Sequence, residues 1–143
     1  MIEKTCITNS SEETQLLGKE LAKYLVKGSV VALFGELGAG KTTLIKGIAQ
    51  GLGLKENEVT SPTFTYLHIY NGKKDLYHFD LYRVEDAKQF FDMGFDEHLT
   101  SGGICLFEWP EKVLPHLPSS TITISLNHED EQRRKITFSR LKS

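Results

Sequence analysis

The sequence carries no strong charge of either sign: 17 basic against 19 acidic side chains leave a formal charge of −2 over 143 residues. A chain with no basic field is not expected to bind RNA or DNA tightly by itself. The one basic run, Arg133-Arg134-Lys135, reads as the solvated face of an edge strand. No apolar stretch is long enough to span a membrane, and no secretory segment opens the chain. Cysteine is scarce. Cys6 and Cys105 each sit inside an apolar, strand-like run, as buried reduced thiols of a cytoplasmic protein do, rather than in a disulfide framework. Internal repeats and low-complexity tracts are lacking. The length suits one domain, 1–143, with a real core, and is too short for two.

What is present alternates between strand and helix. Glu3 to Thr8 reads as a first strand. Ser10 and Glu13 stand at capping-box spacing and open a helix in which Leu17, Leu21 and Leu25 recur every fourth residue, with Gly28 placed to end it. Ser29 to Phe34 is short, apolar and β-branched, as a buried strand is. A helix follows from Thr43 to Leu52, with Leu44, Ile45, Ile48 and Leu52 on one face and Gly53 to stop it. Phe64 to Tyr70 and Asp75 to Asp80 flank Asn71-Gly72, a strong hairpin signal. Val84 to Met93 has helical character. Gly103 to Glu108 reads as a central buried strand ending in an acid, and Pro110 begins a helical turn through Leu114. Thr121 to Leu126 and Lys135 to Phe138 alternate apolar and polar residues, as an antiparallel pair does. The predicted class is α/β: a single-domain, P-loop NTPase-like mixed sheet flanked by helices, with a β-hairpin and a C-terminal antiparallel strand pair.

Between the second strand and its helix lies Gly35-Glu36-Leu37-Gly38-Ala39-Gly40-Lys41-Thr42, which fits G-x-x-x-x-G-K-[ST]. Strand, glycine loop and helix together form the setting in which this pattern cradles phosphate. Glycines let the backbone approach the anion, and N–H groups converge on it at the positive end of the helix dipole. The cradle would comprise Glu36, Leu37, Gly38, Ala39, Gly40, Lys41, Thr42 and Thr43. Lys41 reaches the β- and γ-phosphates, and the Thr42 hydroxyl ligates Mg²⁺.

Such a site needs a second metal-orienting carboxylate, typically at the end of an apolar strand. Glu108, after Ile104-Cys105-Leu106-Phe107, and Asp80, at the end of the second hairpin strand, both qualify. The residues assign Glu108 to the metal, directly or through water. Asp80 then stands behind it or orients the attacking water. A hydroxyl of Ser61-Pro62-Thr63, just after the helix, could bond Mg²⁺ or the γ-phosphate only while the triphosphate is intact; a plain turn would look the same. His78 could be catalytic, but on a strand rich in Tyr and Phe a hydrogen-bonded core histidine is the more ordinary reading. Trp109 either packs beside the nucleotide or covers the core. Asn127-His128-Glu129-Asp130 has His where a guanine-recognising N-K-x-D has Lys, and reads as a surface turn. No D-x-x-G follows the loop. GTP specificity is therefore unsupported and ATP is expected.

Taken together, the loop Gly35 to Thr42, Ser61-Pro62-Thr63, His78-Phe79-Asp80-Leu81-Tyr82-Arg83 and Phe107-Glu108-Trp109-Pro110 resemble, in order, the motifs of the TsaE (YjeE) family of bacterial ATPases. The loop alone is common; the H-x-D-x-Y-R and F-E-W-P pieces at these spacings are far more specific. The resemblance implies slow ATP hydrolysis by the isolated chain. It also implies assembly with TsaB and TsaD, and support for threonylcarbamoyl transfer to an anticodon-adjacent adenosine of tRNA, which is met only through the complex. It further implies that Lys41, Thr42, Asp80, Glu108 and Trp109 form the nucleotide site. Arginines are few, and only Arg83 adjoins a proposed catalytic element; if Arg83 is not an arginine finger, the isolated chain should be slow and a partner would supply the acceleration. A small-molecule or nucleoside kinase, or a non-hydrolysing nucleotide sensor, are the alternatives. A kinase usually has an arginine-rich lid, and no such cluster follows Asp80.

Overall fold

The computed structural model describes residues 3–36, 38–54 and 66–140. Its strands are β1 (Lys4–Thr8), β2 (Val30–Phe34), β3 (Leu67–Tyr70), β4 (Leu76–Asp80), β5 (Ile104–Glu108), β6 (Ile122–His128) and β7 (Arg134–Arg140), and its helices are α1 (Ser11–Ala22), α2 (Lys41–Gly51) and α3 (Ala87–Asp92). Among the described residues the strands form one seven-stranded sheet in the order β1-β7-β6-β2-β5-β4-β3. Four consecutive strands, β6, β2, β5 and β4, run parallel; β7 pairs antiparallel with β6, β1 antiparallel with β7, and β3 antiparallel with β4. This is the mixed α/β sheet expected from the sequence, with its hairpin and its C-terminal antiparallel pair.

Strand alternation divides the core between the two faces. Val31, Leu33, Ile104 and Leu106 point to the cluster beneath α1 and α2. Val30, Ala32, Cys105 and Phe107 point to the opposite cluster, beneath Phe90 of α3 and Val113. A strand covered on both faces reads as a continuous apolar run, which is why β2 and β5 were legible. Helix α1 opens as its spacing predicts: Ser10 Oγ accepts the Glu13 N–H at 3.1 Å, and Glu13 Oε1 accepts the Asn9 N–H at 3.0 Å.

Helices α1 and α2 meet at glycines. A Cβ built on Gly47 would lie 2.0 Å from the Gln15 carbonyl oxygen, and one on Gly18 would lie 2.3 Å from that of Leu44. The obstructing atoms are backbone, so the helix pair closes to this distance only because both positions lack a side chain.

Three expectations change. Helix α1 ends at Ala22, not near Gly28, because the Tyr24 and Leu25 N–H groups bond Leu21 and Ala22 in a tighter i→i+3 turn. Leu25 is nevertheless fully buried. The hairpin β3–β4 forms with Tyr70 paired to Leu76, so its second strand begins at Leu76, one residue later than expected, and the connection spans 71–75. Strand β7 is not an edge, since β1 pairs along its outer side from Thr8↔Arg134 to Lys4↔Phe138. Both cysteines are free. Cys105 is buried, and burial pushes its thiol up to about 12. No helix among the described residues is long and apolar enough to cross a membrane.

Candidate functional site

The parallel strands β2, β5 and β4 end side by side, and Lys41, Asp80, Glu108 and Trp109, singled out from the sequence, gather there. Leu33 pairs with Glu108, and Asp80 pairs with Glu108 on its other side. The glycine loop leaves β2 one residue beyond Phe34. The loop, Glu108 and Asp80 thus form a row at the carboxyl ends of adjacent strands, where open α/β sheets place their ligands. Glu108 lies two residues from Leu106, so it shares the α2 face of the sheet. His78 and Asp80 are likewise two apart on β4.

The start of α2 is built unlike that of α1. Its cap is Gly40, at a φ of 101° that L side chains rarely adopt, with no side-chain cap bond and no acid in the first turn. Lys41 stands there instead, adding positive charge to the positive end of the dipole. Lys41 is 6% exposed, and its Nζ has no hydrogen-bond partner. The ammonium sits 3.8 Å from the centroid of the Trp109 ring. Burial pushes its pKa down, opposed by the nearby carboxylates of Glu108, Asp80 and Glu111. Thr42 is exposed at the helix start, Thr43 half-buried and Ala39 buried, while Glu36 and Gly38 face solvent.

Trp109 has φ 56° and ψ 55°, the one non-glycine residue with positive φ among those described. Left-handed backbone at a bulky residue is strained, and such strain gathers at functional sites. The Tyr82 ring packs against Trp109 at 5.0 Å. Asp80 accepts the Tyr82 N–H at 3.0 Å through Oδ1. Burial raises the Asp80 pKa above its ordinary value and the Glu108 charge raises it further, while the Tyr82 N–H, His78 and Lys41 oppose the shift. His78 is the hydrogen-bonded core histidine anticipated, 1% exposed, with Nε2 2.7 Å from Glu108 Oε2. Leu37, Ser61 and Thr63 fall outside the described residues.

On the far side of the loop lies a cavity of about 210 Å³ lined by Ser11, Thr14, Gly40, Thr43 and Arg134, with Glu131 and Gln132. Arg134 is held there by its own turn, its Nη1 donating to the carbonyls of Asp130, Glu131 and Arg133 at 3.1 Å. Gly40 and Thr43 belong to the loop pattern, but no local pattern marks Ser11, Thr14, Glu131, Gln132 or Arg134. The first turn of α1 and the β6–β7 turn meet at Gly40 only because β6 pairs with β2 and β7 follows on its other side.

The arrangement is matched elsewhere. The profile of a family described as threonylcarbamoyl adenosine biosynthesis protein TsaE covers residues 8–136. A tRNA threonylcarbamoyladenosine biosynthesis protein TsaE of Treponema pallidum (strain Nichols) is 46% identical over 132 residues, spanning 92% of this chain and 97% of its own. A protein of the same description from Bacillus subtilis (strain 168) is 42% identical over 132 residues, 92% of this chain and 82% of its own. The crystal structure of YdiB from Bacillus subtilis superposes with a TM-score of 0.81 at 35% identity, covering 98% of this chain and 86% of that one. Sequence and structure agree over nearly the whole length: this chain belongs to the TsaE family of tRNA threonylcarbamoyladenosine biosynthesis proteins.

Proposed function

We propose that this chain binds ATP with Mg²⁺ and hydrolyses it, as the partner-gated subunit of an assembly with TsaB- and TsaD-like proteins that modifies tRNA. The observation that carries the reading is the Lys41 ammonium, buried without a hydrogen bond at an uncapped helix start and flanked by two strand-end carboxylates. An orphaned buried cation is costly, and a phosphate group supplies the acceptors it lacks. Glu36 to Thr43 would cradle the phosphates. The cavity beside Gly40 and Thr43 lies toward β6 and β7, on the side of β2 away from Glu108, and would be where the nucleoside lies.

The residues fit Mg²⁺ as well. Among those described, no three His, Cys, Asp or Glu side chains converge as a cage. Magnesium is ordinarily held by one or two protein groups together with substrate phosphates. Thr42 and Glu108 would hold it, and when bound it neutralises charge on the phosphate oxygens.

The chain's own groups supply the remainder. Lys41 donates to the β- and γ-phosphate oxygens and stabilises charge there. Asp80 orients a water toward the γ-phosphorus and takes its proton, for which a raised pKa suits it. The water oxygen bonds to phosphorus as the bond to the β,γ-bridging oxygen breaks. Trp109 covers the Lys41 side of the site, and the Ser61–Thr63 segment would close on the γ-phosphate.

Phosphate release from ATP by the pure protein, alone and with purified TsaB- and TsaD-like proteins, tests the proposal. Slow release that rises with the partners is the expected result. Binding with no hydrolysis under either condition would replace it with the sensor reading, and γ-phosphate transfer to an added metabolite would replace it with the kinase.

A further inference from the structure

Among the described residues, His78 is the one buried titratable side chain near the strand ends without a role in that chemistry. It is nearly inaccessible, and its Nε2 lies 2.7 Å from Glu108 Oε2, in the range of a charge-assisted hydrogen bond. Strand register makes the contact deliberate. Leu106 pairs with His78, and Asp80, not His78, lies level with Glu108. The imidazole therefore reaches diagonally along β5, two residues toward its carboxyl end, to touch the acid. Its other nitrogen, Nδ1, is buried with no hydrogen-bond partner. A histidine serving only to fill the core would not leave a polar atom unpaired for the sake of one contact.

We propose that His78 is a positioning residue: its Nε2–H occupies Oε2 of Glu108 and so presents the other carboxylate oxygen, in one orientation, to the cation that accompanies ATP. This rests on the assignment of Glu108 to Mg²⁺ made above. A glutamate at a strand end has three side-chain torsions to fix, and Mg²⁺ demands near-ideal octahedral geometry. A hydrogen bond from behind removes that freedom before the ion arrives, as outer-shell partners of metal-binding groups do. Asp80 cannot serve in the same way. It carries no donor when ionised, and its charge repels Glu108.

His78→Asn and His78→Gln separate positioning from filling. Both keep a buried amide. The asparagine donor stops one carbon short of Glu108, whereas the glutamine N–H reaches about as far from the backbone as imidazole Nε2. The measurement is calorimetric binding of a non-hydrolysable ATP analogue across a MgCl₂ series, beginning in EDTA, with a thermal melt of each variant. Loss of an outer-shell partner typically costs about 10–100-fold in metal affinity. The Mg²⁺ concentration giving half of the metal-dependent tightening should rise by about that factor in His78→Asn and return most of the way in His78→Gln. Binding in EDTA should differ little among the three proteins. A wild-type Mg²⁺ dependence in a folded His78→Asn would overturn the proposal. So would an equal loss of binding with and without Mg²⁺, which would make His78 merely structural. If His78→Asn does not fold, His78→Gln alone decides: a wild-type melt with weakened Mg²⁺ dependence overturns the proposal, and wild-type values in both support it. Failure of the unaltered protein to bind the analogue at all would overturn the nucleotide site itself, and this inference with it.

Discussion

The Lys41→Met substitution keeps an aliphatic stem and removes the ammonium, and the structure predicts opposite effects on folding and on binding. A buried donor left unsatisfied costs about 1–3 kcal/mol, and more when it is charged. Against this stands the Trp109 face 3.8 Å away, worth about 0.5–2 kcal/mol, together with attraction from Glu108, Asp80 and Glu111. The balance leaves a net penalty of roughly 1 kcal/mol in the nucleotide-free protein. Its removal should raise Tm by about 2–4 °C for a chain near this size. Burial depresses the Lys41 pKa, so the penalty applies while the unfolded chain's lysine is charged. The gain should therefore shrink as pH rises through the depressed value toward the ordinary 10.5. For ATP the sign reverses. Losing charge-assisted hydrogen bonds worth about 1.5–3 kcal/mol should weaken binding about 10–200-fold. Thermal melts without nucleotide and calorimetric titration with ATP read the two effects. A lower Tm in the nucleotide-free variant would show the ammonium to be satisfied in the fold, and unchanged ATP affinity would remove it from the site.

Gly47→Ala sets helix propensity against packing. Alanine gains about 0.8–1.0 kcal/mol in a helix, but its Cβ would sit 2.0 Å from the Gln15 carbonyl oxygen. Only separation of α1 from α2 relieves that, at about 1–3 kcal/mol or more. Tm should fall by several degrees, and a rise would show that propensity wins and that the helices are not in tight contact. Asp80→Asn should raise Tm near pH 7 and have no such effect below about pH 4. Burial and Glu108 raise the folded-state pKa of Asp80, so its stabilising, protonated condition is complete below the unfolded value and is lost as pH rises through the folded one. An equal gain at both pH values would assign the effect to something other than the charge.

Much of the site was legible because its parts are local. The glycine loop, its strand and its helix are consecutive, and β5 is covered on both faces, so Glu108 stood out as an acid closing an apolar run. The α1–α2 contact left a partial trace in the spacing of Gly47 and Gly51, and it went unread because small residues at helical spacing acquire meaning only with a partner helix against them. Arg134 gave the opposite signal. A short basic run looks like solvated surface, and only the pairing of β1 outside β7 moves it away from an edge.

Each part of the candidate site was therefore legible in the sequence by itself, since the glycine loop, each strand-end carboxylate and the helix start without a side-chain cap are each marked by the few residues around them. Tertiary structure decided which of those groups act together. The order β6-β2-β5-β4 sets Asp80 level with Glu108, and register lets His78 reach Glu108 from two residues below. It also folds Lys41 onto Trp109 and brings the start of α1 and Arg134 to the other side of Gly40. Such pairings join residues tens of positions apart, and their energies depend on burial and on distances of a few ångströms. Both are properties of packed strands and helices, and neither is written in any short stretch of chain.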